Sequence, residues 1–220
     1  VFRPSEDASV YPDLISSNMF AVVSLKQISE IFKLKFSSLN IDNQFSALAN
    51  EVDEAIKNYA IFERKDFGKI YALEIDGFGN ALFMDDANVP NLLSIPHLGY
   101  TSYHDEVYKN TRKFSLSKNN PWFNEGKFAK GIGGPHVGEN KIWPLGLIMQ
   151  ALTTDDDEEI FYCLKTLKNT HAGTGFIHES FDVNNPKDFS RSWFAWANTL
   201  FGELILHLYE KKPEVLNRKF

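Results

Sequence analysis

Apolar residues return at three- and four-residue spacing in stretch after stretch of this 220-residue chain, and nothing constrains its fold more. The stretches follow one another through short loops and do not alternate with β-branched runs. That pattern predicts paired helices, not a parallel sheet with crossovers. The first helix is expected over 19–36, with Ser16, Ser17 and Asn18 as cap residues and Phe20, Val23, Ile28, Ile31 and Phe32 as its core stripe. The second is expected over 42–64, capped by Asp42, with Phe45, Leu48, Val52, Ala55, Ile56 and Tyr59 on one face. Further helices are expected in a short piece ending near Gly99 and over 103–115, 142–153, 155–169 and 194–209, the last ended by Lys211-Lys212-Pro213. The acids 155–159 suit the positive end of the helix they open. One β-hairpin is expected, 71–75 against 81–84, around the turn formers Asp76-Gly77-Phe78-Gly79-Asn80. The sum is mainly α, about seven helices with one hairpin and functional loops between.

Composition narrows the function. With 43% hydrophobic and 24% charged residues the chain is an ordinary globular one, of one or two domains. A net charge of −6 and the lack of any Lys/Arg-rich run argue against a nucleic-acid partner, which needs a clustered basic face. No apolar run approaches the ~20 residues that span a bilayer. Cys163 is the single cysteine; it sits in an apolar helical pattern and reads as a buried thiol. The six histidines lack zinc-site spacing, and no G-x-S-x-G elbow is present. The chain opens at Val1 without a Met, so the lack of a leader says nothing about compartment.

Candidate chemistry concentrates in residues 173–203. His178, Glu179 and Asp182 lie beside two glycines, followed by Arg191, Trp193, Phe194 and Trp196. Carboxylates, a cationic fork and aromatic plates suit a polar ring that must be held and protonated, the chemistry of a carbohydrate site. The same aromatics at helical spacing also suit a core. Asp85, Asp86 and Asn88 leave the hairpin directly before the short helix, where they could cap it, hold sugar hydroxyls or bind a divalent cation. The first twelve residues read as a loop carrying Arg3 and the adjacent acids Glu6 and Asp7. Residues 119–140, with five glycines and two prolines, read as a long irregular loop whose notable side chain is His136. What survives is a two-carboxylate mechanism with aromatic and arginine positioning, as in glycoside hydrolysis.

The motifs FRPSEDA, SNMFAVVSL, MDDANVP, Pro135-His136, IWPLGLIMQ and GTGFIHESF…WFAWANTLFGELI together resemble glycoside hydrolase family 125, in order, over nearly the whole chain. The resemblance implies an (α/α)6 barrel and metal-independent, inverting hydrolysis of terminal α-1,6-linked mannose, with no cofactor. It places the general acid at Asp7 and the general base at Glu179. Glu6 and Ser192 depart from the family's Asp and Pro at those positions. Sugar contacts are implied for Arg3, Glu6, Asp85, Asp86, Asn88, His136, His178 and Arg191, with Trp143, Trp193 or Trp196 as the apolar plate. A twelve-helix barrel needs roughly twice this length. The chain is therefore expected to be the C-terminal part of one catalytic domain, with an α-mannoside or N-glycan as substrate and the preceding half of that domain as its structural partner. The rival readings are a non-catalytic carbohydrate-binding protein and another (α/α)6 glycosidase or epimerase.

Overall fold

A computed structural model describes residues 2–36 and 41–219, which form two compact units: Val1–Met84 with Pro90–Phe114, and Asp85–Val89 with Ser115–Phe220. No helix among the described residues is long and apolar enough to cross a membrane.

In the first unit, β1 (Asp13–Leu14) runs straight into α1 (Ile15–Lys35). The helix thus starts earlier than expected, and the three cap candidates fall inside its first turns. Ile15 N–H donates to Leu73 O at 2.8 Å, so the sheet satisfies an end that a side chain would otherwise cap. Ser16 Oγ instead donates to Pro90 O. The buried face of α1 is Ile15, Met19, Val22 and Ser29, whereas Phe20, Ile28 and Ile31 of the expected stripe are exposed. This helix is apolar on two faces, and spacing cannot say which one is covered. Ser29 Oγ joins α1 to α2 (Asp42–Tyr59) through Asp42 O and Ser46 Oγ. On α2 Ala49 and Ile56 are buried, while Leu48 and Tyr59 face solvent.

The second helix ends at Tyr59, not 64. Residues beyond it form β2 (Ile61–Arg64), paired antiparallel with β3 (Gly68–Tyr71). β-branched and aromatic residues followed by Asp66-Phe67-Gly68, with Gly68 at φ +79°, favour a hairpin over another helical turn. The expected hairpin is present as β4 (Glu74–Ile75) and β5 (Ala81–Leu82), with β1 as an unforeseen third strand. The short helix before Gly99 is a succession of turns, since Pro90 and Pro96 lack the N–H groups a helix needs. Then α3 (Glu106–Ser115) begins three residues later than expected, with Asp105 Oδ1 accepting from Tyr108 N–H.

The second unit holds more β-structure than the sequence suggested. Residues 119–140 are not irregular: β6 (Phe123–Glu125) and β7 (Lys130–Ile132) form a hairpin. Asn124 ties it down, donating to Trp122 O and Lys141 O and accepting from Asn140 N–H. A three-stranded sheet follows in the order β10 (Asn185–Ser190), β9 (Ser180–Asp182), β8 (Lys141–Ile142). Next to it α4 (Pro144–Leu152) is buried along almost its whole length. It packs on α5 (Asp157–Asn169) and α6 (Ala195–Lys211). Asp156 caps α5 by accepting from Glu158 and Glu159 N–H, and Cys163 is fully buried on that helix. Beyond Lys212 a short α7 (Pro213–Leu216) continues past the expected stop.

Candidate active site

The loop that carries Asp7 is built around a residue the sequence reading passed over, Glu74 of β4. Its carboxylate is fully buried; Oε1 accepts from Arg3 Nε at 2.6 Å, and Oε2 accepts from Val10 and Tyr11 N–H at 2.7 and 3.1 Å. A buried charge requires such partners. Arg3, expected on sugar, props the loop through its Nε. Arg3 N–H donates to Asp7 O, Glu6 N–H donates to Arg3 O, and Ser5 Oγ donates to Asp7 Oδ2 at 2.9 Å. Glu6 takes the left-handed conformation, φ +69°, and its side chain is exposed, whereas Asp7 is half-buried.

In the second unit Asp85, Asp86 and Asn88 are all buried, held by a second overlooked residue, Asn120. Asn120 Oδ1 accepts from Asp85 N–H and Trp122 N–H, and its Nδ2 donates to Asp85 O and Ser115 O. Asp86 Oδ1 accepts from both Asn88 N–H and Nδ2, at 2.9 Å each. Ala87 N–H donates to Gly133 O, and a Cβ on Gly134 would stand 3.2 Å from the Asp86 carboxyl. Glycine is therefore what lets the 133–134 backbone close on this carboxylate.

Glu179 sits just before β9, and its neighbours are tied on both sides to the segment 190–194. Ile177 O accepts from Phe194 N–H, His178 Nδ1 donates to Ser192 O at 3.2 Å, Glu179 N–H donates to Ser190 O, and Ser180 Oγ bonds Ser190 Oγ at 2.7 Å. Asn198, on the first turn of α6, locks Ile177 from the other side through both its N–H and its C=O. Asp182, grouped with the site on sequence, is a turn former that accepts from Asn184 and Asn185 N–H. The Glu179 side chain is 8% exposed, and Oε1 lies 3.2 Å from Arg191 Nε.

His178 is stacked on Phe189 at 3.9 Å. Because a carbonyl can only accept, its Nδ1 carries the proton, and a neutral ring leaves Nε2 as a buried acceptor. That atom, Asn88 Oδ1 and Trp143 Nε1 are buried without a hydrogen-bond partner among the described residues. Each polar group so placed is costly unless something else satisfies it.

The three tryptophans proposed as the plate differ. Trp143 is buried between His136, whose ring centroid lies 6.1 Å away, and Phe194, at 5.9 Å. His136 itself is exposed. Trp193 and Trp196 expose more than half their area, and Trp196 lines a cavity of about 270 Å³ with Val89, Leu145, Thr199, Leu200 and Glu203. No group of three or more His, Cys, Asp or Glu among the described residues is arranged to hold a metal ion.

The family model of metal-independent alpha-mannosidases, GH125, matches residues 1–206. The chain belongs to glycoside hydrolase family 125. It is 49% identical, over 99% of its length, to the Meiotically up-regulated gene 157 protein of Schizosaccharomyces pombe and spans 43% of that protein. It superposes on a Streptococcus pneumoniae metal-independent alpha-mannosidase, solved in non-productive complex with alpha-1,6-mannobiose, with a TM-score of 0.92 and 46% identity. That match covers 96% of this chain and 50% of the other. A bacterial glucoamylase complexed with acarbose matches at TM-score 0.67 and 14% identity, over 89% of this chain and 33% of its own, a likeness of fold alone. The resemblance read from the motifs is borne out, and so is the fold class: the GH125 chain has part of the (α/α)6 fold. It spans about half the length of these relatives.

Proposed function

We propose that this chain carries both catalytic carboxylates of an exo-acting α-mannosidase that removes terminal α-1,6-linked mannose with inversion. Asp7 protonates the departing glycosidic oxygen. Glu179 takes a proton from the water that attacks C1. The observation that carries the reading is Glu179 itself. It is a buried carboxylate anchored through its backbone and ion-paired at one oxygen, in a chain matching a relative solved with alpha-1,6-mannobiose. Asp85, Asp86, Asn88, His136 and His178 are proposed to bind sugar hydroxyls. The unsatisfied Asn88 Oδ1 and His178 Nε2 support this, because acceptors buried in that way suit hydroxyl donors. Trp193 and Trp196 offer the apolar plate, while Trp143 has an indole N–H for an oxygen acceptor. We further propose that residues 1–220 are the C-terminal part of one catalytic domain and that turnover needs the preceding half, in keeping with relatives about twice as long.

The test is cleavage of α-1,6-mannobiose in EDTA, with the anomeric product followed by NMR. It is run on the chain alone and on the chain joined to the preceding half of the Schizosaccharomyces pombe relative. First-formed β-mannose is expected from the joined protein, with losses of at least about 10³-fold for Asp7→Ala and for Glu179→Ala, since each removes a group the chemical step uses. Saturable mannoside binding without cleavage would replace this reading with a carbohydrate-binding one. Loss with Glu6→Ala and not with Asp7→Ala would move the acid by one residue.

A further inference from the structure

Arg191 occupies a backbone conformation that an arginine adopts at a cost. Its φ is +45°, in the left-handed region that favours glycine and asparagine. It forms the corner of the 190–194 segment: Ser190 is bonded to Glu179 and Ser180 on one side, Ser192 and Phe194 to His178 and Ile177 on the other. At this corner the guanidinium meets two things. Its Nε lies 3.2 Å from Glu179 Oε1, and its Cζ stands 5.5 Å from the centre of the Phe194 ring. The Arg191 side chain is 61% exposed, so the ion pair contributes little to stability and does not offset the backbone strain. Glycine would turn the corner without strain. A strained side chain aimed at one carboxylate points to a task at that carboxylate.

We infer that Arg191 is a positioning residue for Glu179: its guanidinium holds Oε1 by ion pairing at 3.2 Å and thereby leaves Oε2 to the attacking water. This rests on the assignment of Glu179 as the base. It also moves Arg191 from the sugar, where its residue type suggested it, to the catalytic carboxylate. The ring of Phe194 limits the sweep of the guanidinium, and Phe194 is itself held against Trp143 at 5.9 Å. The arrangement is prepared by the fold before substrate arrives.

Asparagine tolerates the corner and removes the cation, so Arg191→Asn isolates the side chain from the backbone. In the protein that turns over, Arg191→Asn is expected to lower kcat at least tenfold with KM within twofold, and Arg191→Gly to do the same. The deciding measurement uses azide, which attacks C1 without a base. In a Glu179→Ala background rescued by azide, adding Arg191→Asn is expected to change the rescued rate less than twofold, because Arg191 acts only through the missing carboxylate. A raised KM with unchanged kcat, or a rescued rate that falls as far as in the parent, would overturn the inference and return Arg191 to the sugar. Proton NMR of the Arg191 guanidinium, its signal shifted by the neighbouring carboxylate, needs no turnover. Loss of that shift in Glu179→Gln supports the contact, and an unchanged signal refutes it. If the parent is inactive and azide rescues nothing, the assignment of the base fails, while the NMR result still decides the contact.

Discussion

At the scale of single residues, the catalytic candidates were legible and their supports were not. Glu179 and Arg191 lie close in sequence among aromatic residues, and their types announce a polar site. Glu74, Asn120 and Asn198 announce nothing, because each acts through partners that only folding brings near: Arg3 reaches Glu74 across 71 residues, and Asn120 reaches Asp85 across 35. Glu74 carries the sharpest consequence. Glu74→Gln leaves the Arg3 guanidinium buried beside a neutral amide, and one amide oxygen cannot serve both Arg3 and the Val10 and Tyr11 N–H groups. Breaking a buried pair from one side costs about 3–5 kcal/mol. The variant is expected to unfold at correspondingly lower denaturant concentration and to lose activity along with it, since the same pair shapes the Asp7 loop. Chemical denaturation beside the mannobiose assay checks both.

At the scale of elements, periodicity located most helices but misjudged their edges and missed the short strands. The 119–140 hairpin was obscured by its glycines, which read as an irregular loop in sequence and act as close contacts in the fold. A Cβ on Gly133 would collide with the carbonyl oxygen of Lys141, a backbone atom that cannot swing aside. Gly133→Ala must therefore shift β8 or the loop, and with it the Gly133 O that anchors Ala87. A destabilisation of about 1–3 kcal/mol, the usual cost of overpacking, is expected by denaturation, together with weakened mannoside binding. Gly134→Ala first meets the Asp86 carboxyl, a side chain, at 3.2 Å, so it is expected to weaken binding with less effect on stability than Gly133→Ala.

A second element-scale prediction concerns pH. Asp53 of α2 accepts from Tyr100 Oη at 2.7 Å and from Lys57 Nζ at 2.7 Å. Partial burial would raise its pKa, but these two donors outweigh that and hold it below the ordinary 3.8. Lys57 lowers the pKa more than Tyr100 does, but its side chain is 60% exposed, so its share of stability is small and the tyrosine bond is the one a substitution can test. A depressed carboxylate pKa means stabilisation that is present above the unfolded pKa and lost as pH falls through the folded one. Tyr100→Phe is thus expected to cost about 1.5 kcal/mol at neutral pH. The gap from the parent should close only below about pH 4, and thermal melts from pH 7 to pH 3 would show it.

At the scale of the molecule, each unit leaves a helix face uncovered. On α1 Phe20, Ile28, Ile31 and Leu34 are exposed, and on α6 so are Leu206 and Tyr209. Scattered exposed apolar residues are ordinary, but rows of them along one helix are a surface that something covers. The helical spacing that made the fold class legible could not tell these rows from core, since both obey the same periodicity. In relatives twice as long, further chain is available, and we propose that the preceding half of the domain covers these faces. The lone chain is then expected to bind a hydrophobic dye and to self-associate in light scattering. Both signals should fall when the preceding half is supplied. The pair Ile31→Glu and Leu34→Glu separates this from chance exposure. Both positions face solvent, so the double variant should leave the stability of the lone chain within about 0.5 kcal/mol per site and reduce its self-association. If the preceding half docks there, the same substitutions should abolish its ability to restore mannobiose cleavage. Restoration to the parental rate by the double variant would show that the α1 face is not where the two halves meet.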